Sequence, residues 1–132
     1  MSLIKAKVKT VQKDDHPEYT DPIVALILMR RLQILVHSCL YYYMSANLIT
    51  DYAWTELALE LVQLQKDYPD KAALVRYAKD FEDFDGSTGF DLPYMDSRIY
   101  ATARRLLAYD VELKRGVVNS PKPTRFKLKG GT

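Results

Sequence analysis

Residues 37–69 read HSCLYYYMSANLITDYAWTELALELVQLQKDYP, and the parsing of this stretch decides the fold. Tyr41, Tyr42 and Tyr43 close one helix, a short connection follows, and Thr50-Asp51 opens a second. Thr50 is a good N-cap, and Asp51 suits the positive end of the helix dipole. From there Trp54, Leu57, Leu61, Leu64 and Tyr68 recur at alternating spacings of three and four, one apolar stripe along a helix that Tyr68-Pro69 stops. Two helices joined so closely pack antiparallel as an αα-hairpin. The tyrosines at the end of the first therefore face the opening turn of the second. In particular, Tyr42 and Trp54 are expected side by side at the mouth of the hairpin.

Upstream, Asp21 caps the first helix with Pro22 in its first turn, and the helix is expected to run to about Met44. It is apolar on most sides, as a central helix packed by several neighbours must be. Downstream, Asp70 is read as capping a third helix through Leu74, Tyr77, Ala78 and Phe81. Pro93 is read as beginning a fourth, with Ile99, Ala103, Leu106, Ala108 or Tyr109, and Leu113 along it and Gly116 as its stop. The expected fold is mainly α. It has about four helices around a central αα-hairpin, in a single domain over residues 1–132 whose hairpin core covers 21–69.

The chain ends read differently. Ile4, Ala6 and Val8 alternate with Lys5, Lys7 and Lys9, and Arg125-Phe126-Lys127-Leu128-Lys129 alternates in the same way. That period leaves room for a small two-stranded β-ribbon from the termini, lying on the helices because a lone ribbon is marginal in water. Residues 117–132 form a basic extended tail. No acidic residue occurs in 1–13 or 114–132, so a net charge of +2 hides a segregation of basic ends from an acidic middle. Lysines on such strands also protect sheet edges.

Composition excludes several classes. A lone Cys39 in an apolar helical run makes an internal disulfide impossible and fits a buried thiol in a reducing cytoplasm. His16 and His37 stand apart with no Cys cluster, so no metal is expected. The basic start has no apolar core of a signal peptide behind it, and Arg30-Arg31 interrupts the run from Ile23, so a cytoplasmic protein without a membrane partner is expected. The glycine-rich stretch Asp83-Phe84-Asp85-Gly86-Ser87-Thr88-Gly89-Phe90-Asp91 has neither the Gly and Glu of a calcium loop nor the Gly-Lys-Ser/Thr of a phosphate loop. A turn is the simplest reading, although its carboxylates and hydroxyls could also hold a ligand or ion. No nucleophile–base pair or catalytic carboxylate pair is visible, which argues against an enzyme.

The hairpin stretch also resembles a known family. His-x-x-x-Tyr-Tyr, an Asp opening the next helix, an aromatic three residues on, and Leu-x-x-Leu before a Pro stop are similar to the N-terminal helical hairpin of NAD-dependent DNA ligases. The likeness runs without a gap from His37 to Pro69, about a quarter of the chain. In that family the hairpin grips the nicotinamide mononucleotide half of NAD. By position, the resemblance implies a ligand site at Tyr41, Tyr42, Asp51 and Trp54. Thr55 stands where the family has a second Asp, and Trp54 replaces a Tyr. The nucleotidyl-transfer motif Lys-x-Asp-Gly is matched only as Asp83-Phe84-Asp85-Gly86, without its lysine, and the chain has no room for an adenylation domain. The resemblance therefore implies a non-catalytic binding or sensing module, similar to small ligase-like accessory proteins of bacteria and their phages, with NAD or nicotinamide mononucleotide as ligand. Two other readings stand beside it. One is a helical scaffold that has lost nucleotide binding and acts on a protein partner. The other, weaker, is a nucleic-acid binder using the basic ends, against which the acidic middle and the lack of any nucleic-acid-binding motif count.

Overall fold

Asp21 opens the first helix as its sequence requires: the carboxylate accepts from Ile23 N (2.9 Å) and Val24 N (3.2 Å), and Pro22 takes the first turn. The computed structural model describes residues 20–114. Within them the chain is mainly helical. Helix α1 spans Pro22–Ser38 and continues as a π-helical turn, Cys39–Tyr43. Helix α2 is Asp51–Asp67, α3 is Pro69–Ala72 and α4 is Ser97–Lys114. The terminal stretches 3–9 and 125–129, the tail and Gly116 lie outside the described residues.

Helices α1 and α2 form the antiparallel hairpin. Lys71 Nζ just beyond α2 reaches Asp21 Oδ2 at the start of α1 (2.8 Å), Arg30 Nε reaches Glu60 (3.0 Å), and Arg31 reaches Gln65. Early residues of one helix thus meet late residues of the other. Thr50 caps α2 by accepting from Ala53 N (3.0 Å), and its stripe turns inward: Leu61 is buried, and Trp54, Leu57 and Leu64 pack on the core. Helix α4 lies against α1 and the π turn through Ile99 and Ala103. One core joins all of these elements, with Ile27, Ile34, Leu35, Leu40, Leu61 and Phe81 fully buried. Each of those side chains contributes about 1.5–3 kcal/mol relative to leaving it in water.

An 18-residue window within Pro22–Tyr43 has the length and apolarity to cross a membrane, with a mean hydropathy of 1.7. Half of that window is buried inside the protein, where α2 and α4 pack on it.

Two expected helices differ from their sequence reading. The third stops at Ala72, not Phe81, and the chain continues as turns to Asp83. Tyr77 sits at φ +70°, which a right-handed helix cannot accommodate. Leu74, expected inside, is 64% exposed, and Val75 is buried instead. The cause is Arg31, only 1% exposed. Its guanidinium donates five bonds: two to Gln65 Oε1 (2.9 and 2.7 Å), and one each to the carbonyls of Ala72 (3.1 Å), Val75 (3.0 Å) and Arg76 (3.1 Å). The Val75 and Arg76 carbonyls turn to the guanidinium, and Ala72 O is shared between it and Val75 N (3.3 Å) in a tight turn and not a continuing α-helix. Burial pushes the Arg31 pKa down to about 10, so it stays charged at neutral pH. The fourth helix starts at Ser97, four residues later than Pro93, because Asp96 caps it by accepting from Arg98 N (3.0 Å). Its later residues Leu106, Tyr109 and Leu113 are exposed, and Leu107 packs in their place.

Candidate functional site

The seven residues from Met44 to Thr50 that join the π turn to α2 do not close the mouth of the hairpin. They bend around a cavity of about 220 Å³. One wall is His37, Tyr41 and Tyr42; the opposite wall is Thr50, Asp51, Trp54 and Thr55 at the start of α2. Ala46, Asn47, Leu48 and Ile49 form the back, and Ser87 and Thr88 form the remaining side. Tyr41, Tyr42, Asp51, Trp54 and Thr55, nominated from the sequence, all line this one space, and Tyr42 and Trp54 face it together as the hairpin reading expects.

The π turn matters to this arrangement. Met44 N bonds back five residues to Cys39 O (3.2 Å) and Ala46 N six residues to Leu40 O (2.8 Å), so the helix widens as it ends. Two successive tyrosines, Tyr41 and Tyr42, both reach the cavity from that widened turn. Such π turns recur at functional sites. Ser45 at φ +53° then reverses the chain, a left-handed conformation unusual outside glycine.

The glycine-rich loop supplies the last wall. Asp85 accepts from both Ser87 N (2.9 Å) and Ser87 Oγ (2.7 Å), and these bonds hold its carboxyl below the usual carboxylate range. Gly86 takes φ +86° and lies on α2 beside Ala58, Leu59 and Val62. Gly89 seats the loop on α1: a Cβ there would collide with Ser38 Oγ and come 3.5 Å from Trp54 Cζ2. The Ser38 hydroxyl is itself buried without a hydrogen-bond partner among the described residues. The Tyr42 hydroxyl and Thr88 Oγ1 pair at 2.6 Å, which fastens the loop to the π turn. The loop is therefore a built turn. Its carboxylate Asp85 is committed to that turn and does not line the cavity.

Tyr42 anchors an aromatic group. Its ring is edge-on to Tyr41 (4.9 Å) and Phe90 (5.3 Å) and stacked on Tyr94 (5.6 Å, 24° between planes). Burial pushes the His37 pKa down, so its imidazole is neutral at pH 7. Asp51 is then the one carboxylate in the lining, among aromatic faces and the hydroxyls of Tyr41, Thr55, Ser87 and Thr88. Flat faces, hydroxyls and a single negative charge can hold a flat cationic ring and the hydroxyls of a sugar.

Sequence reasoning did not place His37 in the site, and it offered the Ser87 and Thr88 hydroxyls as ligand holders of their loop without joining them to the hairpin mouth. For His37 a signal existed, since a residue four before Tyr41 shares its helix face. Ser87 and Thr88 carry no such signal, because long-range packing of the loop brings them there. Among the described residues, no group of three His, Cys, Asp or Glu could hold a metal ion. Compared with known families, curated proteins and solved structures, the chain matches no family model, no curated protein and no solved structure.

Proposed function

We propose that the protein is a non-catalytic small-molecule-binding or sensing module whose cavity receives nicotinamide mononucleotide, alone or as part of NAD. One observation carries the reading. Tyr41, Tyr42, Asp51, Trp54 and Thr55, the positions implied by the resemblance to the ligase hairpin, converge on a single cavity. The nicotinamide ring lies between the tyrosine pair and Trp54, and Asp51 offsets its positive charge or takes ribose hydroxyls. Titration calorimetry with nicotinamide mononucleotide, NAD and AMP tests this, and Trp54, the single tryptophan, reports the same event by fluorescence. Ligands carrying nicotinamide mononucleotide should bind and quench Trp54, with AMP much weaker. Equal affinity for AMP, or no binding at millimolar concentration, would refute the proposal.

A second reading, a helical scaffold acting on a protein partner, is favoured by one specific observation. No carboxylate beside Asp51 lines the cavity, so nothing acidic replaces the Asp that Thr55 displaces. Under the first reading, the hydroxyls of Thr55, Ser87 and Thr88 take over that role. Thr55→Val separates the two: it weakens ligand binding under the first reading and changes nothing under the second.

A further inference from the structure

The cavity, at about 220 Å³, is smaller than the ~300 Å³ at which drug-sized ligand sites begin. It admits a flat ring with its sugar and leaves the rest of a dinucleotide outside. Just beyond the Thr88 wall stands Phe90, 60% exposed. Two links hold it there. Its N–H donates to Thr88 Oγ1 (3.1 Å), and its ring meets the Tyr42 ring edge-on at 5.3 Å with 74° between planes. Tyr42 and Thr88 are in turn bonded to each other. A bare phenyl ring is thus fixed relative to the cavity wall by the same pair of residues that builds the wall. A T-shaped contact to Tyr42 covers at most one face of the Phe90 ring, so the other face remains for another flat group.

We infer that Phe90 is the stacking platform for a second base, so that the site takes a dinucleotide with one ring in the cavity and the other on Phe90. This rests on the reading of the cavity as a nicotinamide mononucleotide site. It goes further, because a mononucleotide filling the cavity leaves Phe90 bare. Stacking tolerates any base, since every base offers a π face, and alanine replacement of such platforms costs about tenfold or more in affinity. The platform sets dinucleotide over mononucleotide and discriminates little between adenine and other bases.

Calorimetry on the full chain with NAD and with nicotinamide mononucleotide tests the inference. NAD should bind about tenfold more tightly. Phe90→Ala should erase that advantage while leaving mononucleotide affinity unchanged, and Phe90→Tyr should restore it. Phe90 is exposed and outside the buried core, so Phe90→Ala leaves the core intact, and circular dichroism checks this directly. Mononucleotide binding with no NAD advantage overturns the platform and leaves the cavity reading standing. So does an NAD advantage that survives Phe90→Ala. If neither nucleotide binds, the cavity reading falls and the platform falls with it.

Discussion

Replacing Arg31 by methionine removes five hydrogen bonds and keeps most of the side-chain volume. The Val75 carbonyl is left buried and unpaired, while Ala72 O keeps its turn bond from Val75 N (3.3 Å). Gln65 keeps its own bond to Phe81 O (3.0 Å), which limits the damage on that side. A buried acceptor without a partner costs about 1–3 kcal/mol. Relief from holding a charge out of water offsets part of this, as when buried ion pairs are replaced by apolar side chains. With one stranded carbonyl, and Gln65 and the other acceptors losing a charged donor, the net expectation is a loss of about 2 kcal/mol, a sizeable share of the ~5–15 kcal/mol that holds a domain together. For a domain of this size that is a fall in Tm of about 6–12 °C. Urea unfolding followed by Trp54 fluorescence measures the loss as a shift in midpoint at unchanged slope. Arg31→Lys should recover less than half, because an ammonium cannot reproduce the planar fork that reaches three carbonyls and Gln65 at once. A loss below about 1 kcal/mol for Arg31→Met, or full recovery with lysine, would show that the guanidinium is not what shapes the turns after α3.

Gly89→Ala should destabilise the protein by about 1–3 kcal/mol through overpacking, because its Cβ meets the Ser38 hydroxyl. Ser38→Ala removes that oxygen and an unpaired buried hydroxyl, so it should be neutral alone and should relieve much of the Gly89→Ala loss; additive losses in the double variant would contradict the close approach. Tyr42→Phe and Thr88→Val should each cost about 0.5–1.5 kcal/mol, and a double-mutant cycle should show that they remove the same interaction. Burial lowers the His37 pKa from its usual 6.5, so between the folded value and 6.5 the unfolded chain binds more protons. The His37 contribution is therefore complete above pH 6.5 and is lost as pH falls through the folded value. Thermal melts from pH 7.5 to 5 should show this fall, and His37→Gln should remove it; an unchanged profile in the variant would assign the effect elsewhere.

The hairpin was legible because it is written in local terms. Asp21 and Thr50 cap the helices, and the stripe from Trp54 to Leu64 turns inward as its spacing requires. The convergence of Tyr41, Tyr42, Asp51, Trp54 and Thr55 follows from the same local logic, since a tight hairpin juxtaposes one helix end and the next helix start. What was not legible depends on distant partners. The apolar spacing of Leu74, Tyr77, Ala78 and Phe81 reads as helix, yet Arg31 lies forty or more positions away from the carbonyls it draws inward. The arginine itself reads in the sequence only as an interruption of an apolar run. The last helix misled differently: Leu106, Tyr109 and Leu113 keep a helical period where α4 presents them to the surface. Ser87 and Thr88 enter the cavity only because Gly86 and Gly89 let their loop lie directly on α2 and α1.

The π turn at Cys39–Tyr43 has a genealogical consequence. Relative to an ordinary helical turn it carries one added residue, the form a single insertion leaves in a helix. Deleting Cys39 or Leu40, the two positions before the tyrosines, would restore regular bonding and make a better helix. It would also swing the tyrosines about 100° around the axis relative to α1, away from Trp54. Length at this point is then inherited more strictly than identity. Among descendants that keep the cavity, Cys39 and Leu40 can drift among apolar residues, but the count of five cannot. A descendant with a one-residue gap here keeps the fold and loses the mouth.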